Sequence, residues 1–323
     1  MIEHEVREPA ALWRADGTVD RAAIGWSRTP LHACHLPARW GRRKRWHYWG
    51  LITAREVVSL TLADLDYAGL GAIVVHDRVT GRSRRALSIA PLGWRTAWPE
   101  SAARGDVAVE RGDFRLAFAD DGARVRLEAR GRGVAADLDV TRPPGHETLG
   151  VAVARGEPFA QYTSKQSALP VRGWFEVDGV RRPIADDAFA CLDWGRGVWP
   201  AHTRWNWASA AGRAGGRTIG LNLGARWTDG GGATENALCI DGRLHKLRGD
   251  VRFVWDRRDP RRPWRLVGDE VDLELVPAIV EGKAGPGGRP LPLVLCFGTF
   301  RGRVRDAEVR DLPGWAEEFD VLW

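Results

Sequence analysis

DVAVERGDFRLAFADDGARVRLEARGRGVAADLDVTR, residues 106–142, carries apolar side chains at alternate positions: Phe114, Leu116 and Phe118, then Val125 and Leu127. A period of two belongs to strands with one face inward and the other in water. Asp121-Gly122 interrupts the alternation, and Asp-Gly between two alternating runs marks a tight hairpin. The same pair recurs at Asp178-Gly179, Asp229-Gly230 and Asp241-Gly242, so the strands are expected to run antiparallel to their neighbours.

The texture extends in both directions. Upstream lie RWHYWGLIT from Arg45 and EVVSLTLADLDYAGLGAIVVHDRVTG from Glu56. AREVVSLTLADLDYAGL also admits a helical reading, but its Val-Ser-Leu-Thr-Leu alternation decides for a strand. Downstream come GWFEVDGVRRPI, VRFVWDRRDPRRPWRLVGDEVDLELVPAIVEG and LPLVLCFGTFRGRVR, again short strands between turn residues. The fold class is therefore mainly β, with hairpin spacing that fits a barrel or sandwich. At 323 residues the length favours two domains. Residues 1–30, with Pro9, Asp16-Gly17 and Pro30, read as an N-terminal arm in which Trp13 and Trp26 need cover. The best break in pattern runs from Pro143-Pro144 through residues 156–173, giving an expected first unit at 31–160 and a second at 161–323.

Composition narrows the function classes. The net charge is +6, yet the bases are 44 arginines and only four lysines (Lys44, Lys165, Lys246, Lys283), with 42 acidic residues spread among them. That bias fits a GC-rich genome better than a phosphate-binding face, so no nucleic-acid partner is expected. The one dense cluster, ARWGRRKRWHYWG at 38–50, reads as a solvated loop or strand edge before an anion site. Cys34, Cys191, Cys239 and Cys296 have neither CxxC nor metal-ligand spacing and read as reduced, buried thiols. MIEHEVREPA lacks an apolar leader and no run is long enough to span a membrane as a helix, so a cytoplasmic location is expected. Nucleophile-elbow, P-loop and dinucleotide motifs are absent, and no cofactor is expected.

Residues 189–247 interleave polar groups with Trp194, Trp199, Trp205, Trp207 and Trp227, the composition of a small-molecule pocket. Asp193 precedes Gly195-Arg196-Gly197, which places Arg196 within expected reach of the carboxylate. The pair either braces a barrel rim or sets an anionic orienter or base beside a cation. Glu235, in ATENALCI, is the candidate acid because burial raises a carboxyl pKa, or else a buried carboxyl bonded to Asn222, Asn206 or the backbone. Trp205 and Trp207 are two apart and share one strand face, with Asn206 on the other. They form either core or a pocket wall able to stabilise positive charge. Trp199, Asn222, Asn236, His202 and His245 complete the candidate binding set, and the histidines' spacing supports no metal site. Lys165 stands out because arginine has replaced lysine almost everywhere else; it is either a desolvated base or a solvated strand-end residue. His47–Gly50 is a further candidate for the far wall of a cleft.

Several ordered motifs carry a resemblance: D-W-G-R-G-V-W-P at Asp193–Pro200, W-N-W-A at Trp205–Ala208, G-L-N-L-G at Gly220–Gly224, T-E-N-A at Thr234–Ala237, and K-Q-S-A-L-P-V-R-G at Lys165–Gly173. Over roughly residues 30–323 the chain resembles a bacterial domain-of-unknown-function family, number 2804. That family is distantly similar to the AttH and carotenoid 1,2-hydratase group. The resemblance implies two consecutive antiparallel lipocalin-like β-barrels, calycin-like in style, an architecture that also houses Diels-Alderases. No catalytic residue transfers by alignment.

The expected partner is accordingly a hydrophobic or amphipathic small molecule, held in a Trp-lined pocket of one barrel or between the two. An enzyme of hydratase, isomerase or cyclase type acting on an isoprenoid- or polyketide-like compound is the alternative, and carbohydrate recognition on exposed indoles is a third. Oligomeric state is left open by the sequence.

Overall fold

The structure, a computed structural model, describes residues 3–282 and 293–323. The first two residues of MIEHEVREPA, Lys283, and the opening Leu291-Pro292 of the last quoted strand lie outside the described residues. Antiparallel strands dominate, gathered into two large sheets that each curl into a barrel, and among the described residues there is no α-helix.

The first sheet runs, in spatial order, through Ser83–Pro91, Ala68–Asp77, Glu56–Asp64, Arg43–Ile52, Phe189–Val198, Ala160–Val177, Val134–Thr141, Arg124–Gly131, Phe114–Asp120 and Val107–Arg111. Its interior gathers the alternate apolar positions read from the sequence, with Phe114, Leu116, Phe118, Val125 and Leu127 packed against Leu60, Leu62, Ile73 and Trp194. The second sheet runs through Arg243–Lys246, Ala237–Ile240, Arg217–Ala225, His202–Ala214, Ala307–Leu322, Leu293–Val304, Val271–Glu281, Trp264–Gly268 and Arg252–Val254. Leu221, Leu223, Trp264, Leu273, Phe300 and Ala316 fill its interior.

The change of sheet falls between Val198 and His202, not at residue 160 where the sequence pattern breaks. Ala160–Val177 and Phe189–Val198 both hydrogen-bond within the first sheet. The misplacement has a physical cause: Phe189–Val198 is buried along its whole length, with Leu192 and Trp194 in the first barrel's core and Cys191 packed with Trp207 and Trp315 of the second sheet, so it shows no alternation to mark it as one more strand of the first unit. The N-terminal arm is tied down, since Gly25–Ser27 pairs with Leu149–Ala154 and both Trp13 and Trp26 are buried.

Asp-Gly makes the expected hairpin turns at 121–122, 178–179 and 241–242. Asp229-Gly230 instead sits in the long connection from Ala225 to Ala237, where the Asp229 carboxylate accepts the Arg226 N–H at 2.8 Å. The 38–50 cluster is no edge: Arg43–Ile52 is a central strand, Arg43 and Arg45 pair with Asp64 and Asp66, and Lys44 is buried.

Candidate functional site

The outer faces of the two barrels pack against each other and enclose a cavity of about 490 Å³. Strand alternation decides who faces it. From the first sheet come Trp46 and Tyr48, Thr61 and Ala63, Gln161 and Lys165, and Asp193; from the second come Trp205 and Trp207, Leu293 and Leu295, Glu317 and Phe319. Within each strand these residues are two or four apart, as one face of a pleated strand requires.

Register turns those faces into two rows. Lys165 stands opposite Asp193, Asp193 opposite Tyr48, and Tyr48 opposite Thr61. In the facing sheet Gly224 stands opposite Trp207, Trp207 opposite Glu317, and Glu317 opposite Leu295. Both rows line the cavity at its polar end, except for Gly224, which has no side chain to offer. Glu235 takes that space: a Cβ on Gly224 would lie 2.9 Å from the Glu235 Cβ. Glu235 precedes the Ala237–Ile240 strand and is presented by a loop, not by the strand expected from ATENALCI.

Four ionisable groups therefore meet in an apolar enclosure. Lys165 Nζ is 2.8 Å from Asp193 Oδ2 and 3.8 Å from Glu235 Oε2, and it lies 4.4 Å from the centre of the Trp207 ring. Burial opposes the Lys165 charge, but Asp193 and Glu235 outweigh it and hold the ammonium above its ordinary pKa. Burial raises Glu235, with Lys165 and a hydrogen bond from Thr163 Oγ1 acting against the rise. Glu317 accepts a 2.8 Å hydrogen bond from Trp205 Nε1, yet burial pushes its carboxyl up to about 7. At that value the Glu317 carboxyl is poised to exchange its proton near neutrality. Asp193 Oδ1 and Gln161 Oε1 are buried acceptors with no hydrogen-bond partner among the described residues, and the Trp199 and Trp227 indole N–H groups are buried donors in the same condition. Buried polar groups are usually satisfied, so these four atoms leave open hydrogen-bonding positions on the cavity wall.

The sequence-predicted site residues divide into three groups. Asp193, Glu235, Lys165, Trp199, Trp205 and Trp207 line the cavity, and Trp199 stacks on Trp227 at 4.6 Å. Asn222 stands one layer behind, accepting from Trp207 Nε1 at 2.8 Å and donating to the Glu235 carbonyl at 2.6 Å. The remaining five lie elsewhere. Arg196 is three residues from Asp193 and so faces the opposite side of the strand, where its guanidinium donates to the carbonyls of Pro99, Trp46 and Gly195 and stacks on Trp194. The expected Asp193–Arg196 pair does not form; Lys165 is the cation that Asp193 meets. Asn206 points away from its flanking tryptophans to Glu318 at 3.1 Å. Asn236 braces Gly224 N–H and the Gly249 carbonyl, His202 sits on exposed Asp320, and His245 lies on the partly exposed Arg243–Lys246 strand, outside the cavity lining.

Sequence reasoning missed Glu317 and Lys44 as cavity residues, whereas Tyr48, from the His47–Gly50 stretch read as a far wall, lines the cavity. A signal for Glu317 existed: GWAEEFDVLW, residues 314–323, sets two adjacent carboxyls inside an aromatic strand, one of which must face an apolar side. Glu318, the other, faces the second barrel's interior and is met by Arg226, Arg257, Trp255 and Asn206.

This pair of β-barrels with a shared cavity places the chain in a recognised class of tandem-barrel proteins. It belongs to the family described as a domain of unknown function (DUF2804), whose model matches residues 3–323. Three solved structures share the fold. A protein assigned as an AttH (NE1406) from Nitrosomonas europaea has TM-score 0.54 and 17% identity, covering 88% of this chain and 98% of its own. Kievitone hydratase from Nectria haematococca has TM-score 0.56 and 13% identity, covering 98% of both chains. CghA has TM-score 0.58 and 14% identity, covering 98% of this chain and 94% of its own. No curated protein matches by sequence.

Proposed function

We propose that the chain binds an apolar or amphipathic small molecule between its barrels and acts on it by acid–base chemistry, as a hydratase or isomerase. The observation that carries this reading is the position of Glu317, a carboxyl raised to about 7, on the wall facing the Lys165–Asp193 pair. A container for an apolar ligand has no need of three carboxyls and a lysine, whose desolvation costs several kcal/mol per ion even when paired. An enzyme has a use for them. Glu317 would deliver a proton to a carbon or oxygen of the substrate, while the Asp193 carboxylate, held by Lys165, would stabilise the positive charge or take a proton back. Trp205, Trp207 and Tyr48 would present ring faces to the same developing charge. Addition of water gives a hydratase, and proton return at another position gives an isomerase. The kievitone hydratase fold supports the first through likeness of fold alone.

Binding without turnover is the simpler reading and uses the same cavity. Carbohydrate recognition calls for coplanar indoles on an open face, whereas Trp199, Trp207 and Trp227 are buried, which supports the enclosed-ligand readings. Native mass spectrometry of protein from its own host, followed by extraction, identifies the occupant. Incubating that compound with wild type and with Glu317→Gln then separates the two: conversion by wild type alone supports the enzyme, and an unchanged compound with both leaves a binder.

A further inference from the structure

The chain has four lysines against 44 arginines, and of the three that fall among the described residues, two line this one cavity. They are chemically unlike. Lys165 is locked into an ion pair with Asp193. Lys44, on the same face of Arg43–Ile52 as Trp46 and Tyr48, has no carboxylate within 4.0 Å among the described residues. Its Nζ donates to the carbonyls of Gly41 at 3.1 Å and Leu65 at 3.3 Å, and the rings of Tyr67 and Trp323 stand 4.7 and 5.2 Å away. The side chain is 1% exposed, so water contributes almost nothing to its solvation. The two neighbouring arginines take the nearby carboxylates: Arg43 bonds Asp66, and Arg45 bonds Asp64 and Asp66. An amine at the wall of an apolar cavity, desolvated and left without a counter-ion, is placed as reactive lysines are.

We propose that Lys44 is a carbonyl-capturing residue, forming a Schiff base with the aldehyde or ketone end of an apolar ligand in the cavity between the barrels. The inference rests on the reading that this cavity takes an apolar small molecule, and adds to it the ligand's functional group. In the step, the neutral amine attacks the carbonyl carbon and an N–C bond forms; the nitrogen gives up its two protons to the carbonyl oxygen, the C–O bond breaks, and water leaves as the C=N bond forms, with no electrons exchanged with any other reagent. Burial brings the Lys44 pKa down to about 8, with Asp66 and Asp64 acting against the fall. At pH 7 that leaves on the order of a hundredfold more free amine than an ordinary lysine offers. Arginine, the residue this chain uses nearly everywhere else for positive charge, stays protonated and has no such chemistry.

The test is reductive trapping. The full-length protein is incubated with decanal, then with sodium borohydride, and the adduct is located by peptide mass spectrometry, with decanol as the unreactive analogue followed by tryptophan quenching. The expected result is one secondary-amine adduct per chain at Lys44, formed half-maximally near pH 8 and absent from Lys44→Arg, which keeps the charge and the ring contacts. Lys44→Met, checked by circular dichroism, gives the same loss in a second background. Label spread evenly over Lys165, Lys246 and Lys283, or no label while decanol still quenches, overturns the Schiff base and leaves the cavity reading standing. Failure of both decanal and decanol to bind removes the cavity reading itself.

Discussion

Lys165 and Asp193 stand directly opposite one another on adjacent strands and close a 2.8 Å ion pair at the interface of two barrels. Both are buried, and Glu235 approaches the same ammonium from the second barrel's side at 3.8 Å. Through Glu235 the ion pair of the first sheet reaches the second barrel, setting charge within an otherwise largely apolar cavity wall.

Removing the cation should be costly. Lys165→Met leaves two buried carboxyls without their partner, and breaking a buried pair from one side costs about 3–5 kcal/mol. Chemical denaturation should show that loss. The double variant Lys165→Met/Asp193→Asn should recover part of it, because one of the stranded charges is gone; no recovery would mean that Lys165 acts through packing alone.

Glu317 makes stability fall as pH rises. Its folded pKa, about 7, lies above the ordinary 4.5, so between those values the folded chain binds more protons than the unfolded one. The stability contributed by this group is fully present below pH 4.5 and is lost as pH passes through 7. Urea midpoints measured from pH 5 to 8 should decline through this window in wild type more steeply than in Glu317→Gln. Equal slopes would contradict the placement of the raised carboxyl.

Trp205 tunes that carboxyl. Its indole N–H donates to Glu317 Oε1 at 2.8 Å and holds the pKa lower than burial alone would set it. Trp205→Phe keeps an aromatic ring and deletes the donor, so the Glu317 titration should move to higher pH. The upper limb of the pH–rate profile, or the Glu317 carbon shift in labelled protein, reads the change.

Arg196 serves the fold. It is 1% exposed, spans three backbone carbonyls and stacks 3.9 Å over Trp194 inside the first barrel. Arg196→Lys cannot reproduce the planar set of donors and should destabilise by roughly 1–3 kcal/mol. Ligand affinity per folded molecule should stay within about twofold, a difference too small to register as a lost contact. A tenfold loss would return Arg196 to the site.

Gly195 guards the cavity's shape. A Cβ there would sit 1.9 Å from the Trp46 ring, which forms part of the wall. Gly195→Ala should displace that ring and weaken binding of an apolar ligand by about tenfold or more, a shift of roughly 1.4 kcal/mol. Isothermal titration with the ligand identified from the host would measure it.

Much of this architecture was legible as pattern. Alternation at Phe114, Leu116 and Phe118 gave strands and their inward face, and Asp-Gly pairs gave three of the turns. The shared face of Trp205 and Trp207 also followed from spacing, and both line the cavity. What failed to show is what depends on register and on two-sided burial. Asp193 and Arg196 look like neighbours in a string, but an offset of three on a strand sends them to opposite faces. Lys165 lies far from Asp193 in sequence and meets it only through strand pairing, and Glu317 reaches the same cavity from the last strand of the other barrel. Phe189–Val198, buried on both sides, carries no period at all and so hid the true change of sheet.

The proposed transfer of a proton by Glu317 to a small molecule held between the barrels should carry solvent deuterium into that molecule. It is tested most directly by incubating wild type and Glu317→Gln with an apolar extract of the host in D₂O and comparing the two by high-resolution mass spectrometry. The expected result is a compound that gains a deuteron, or the elements of D₂O, with wild type and is untouched by the variant. Identical spectra from the two proteins, at concentrations where the extract occupies the cavity, would contradict it.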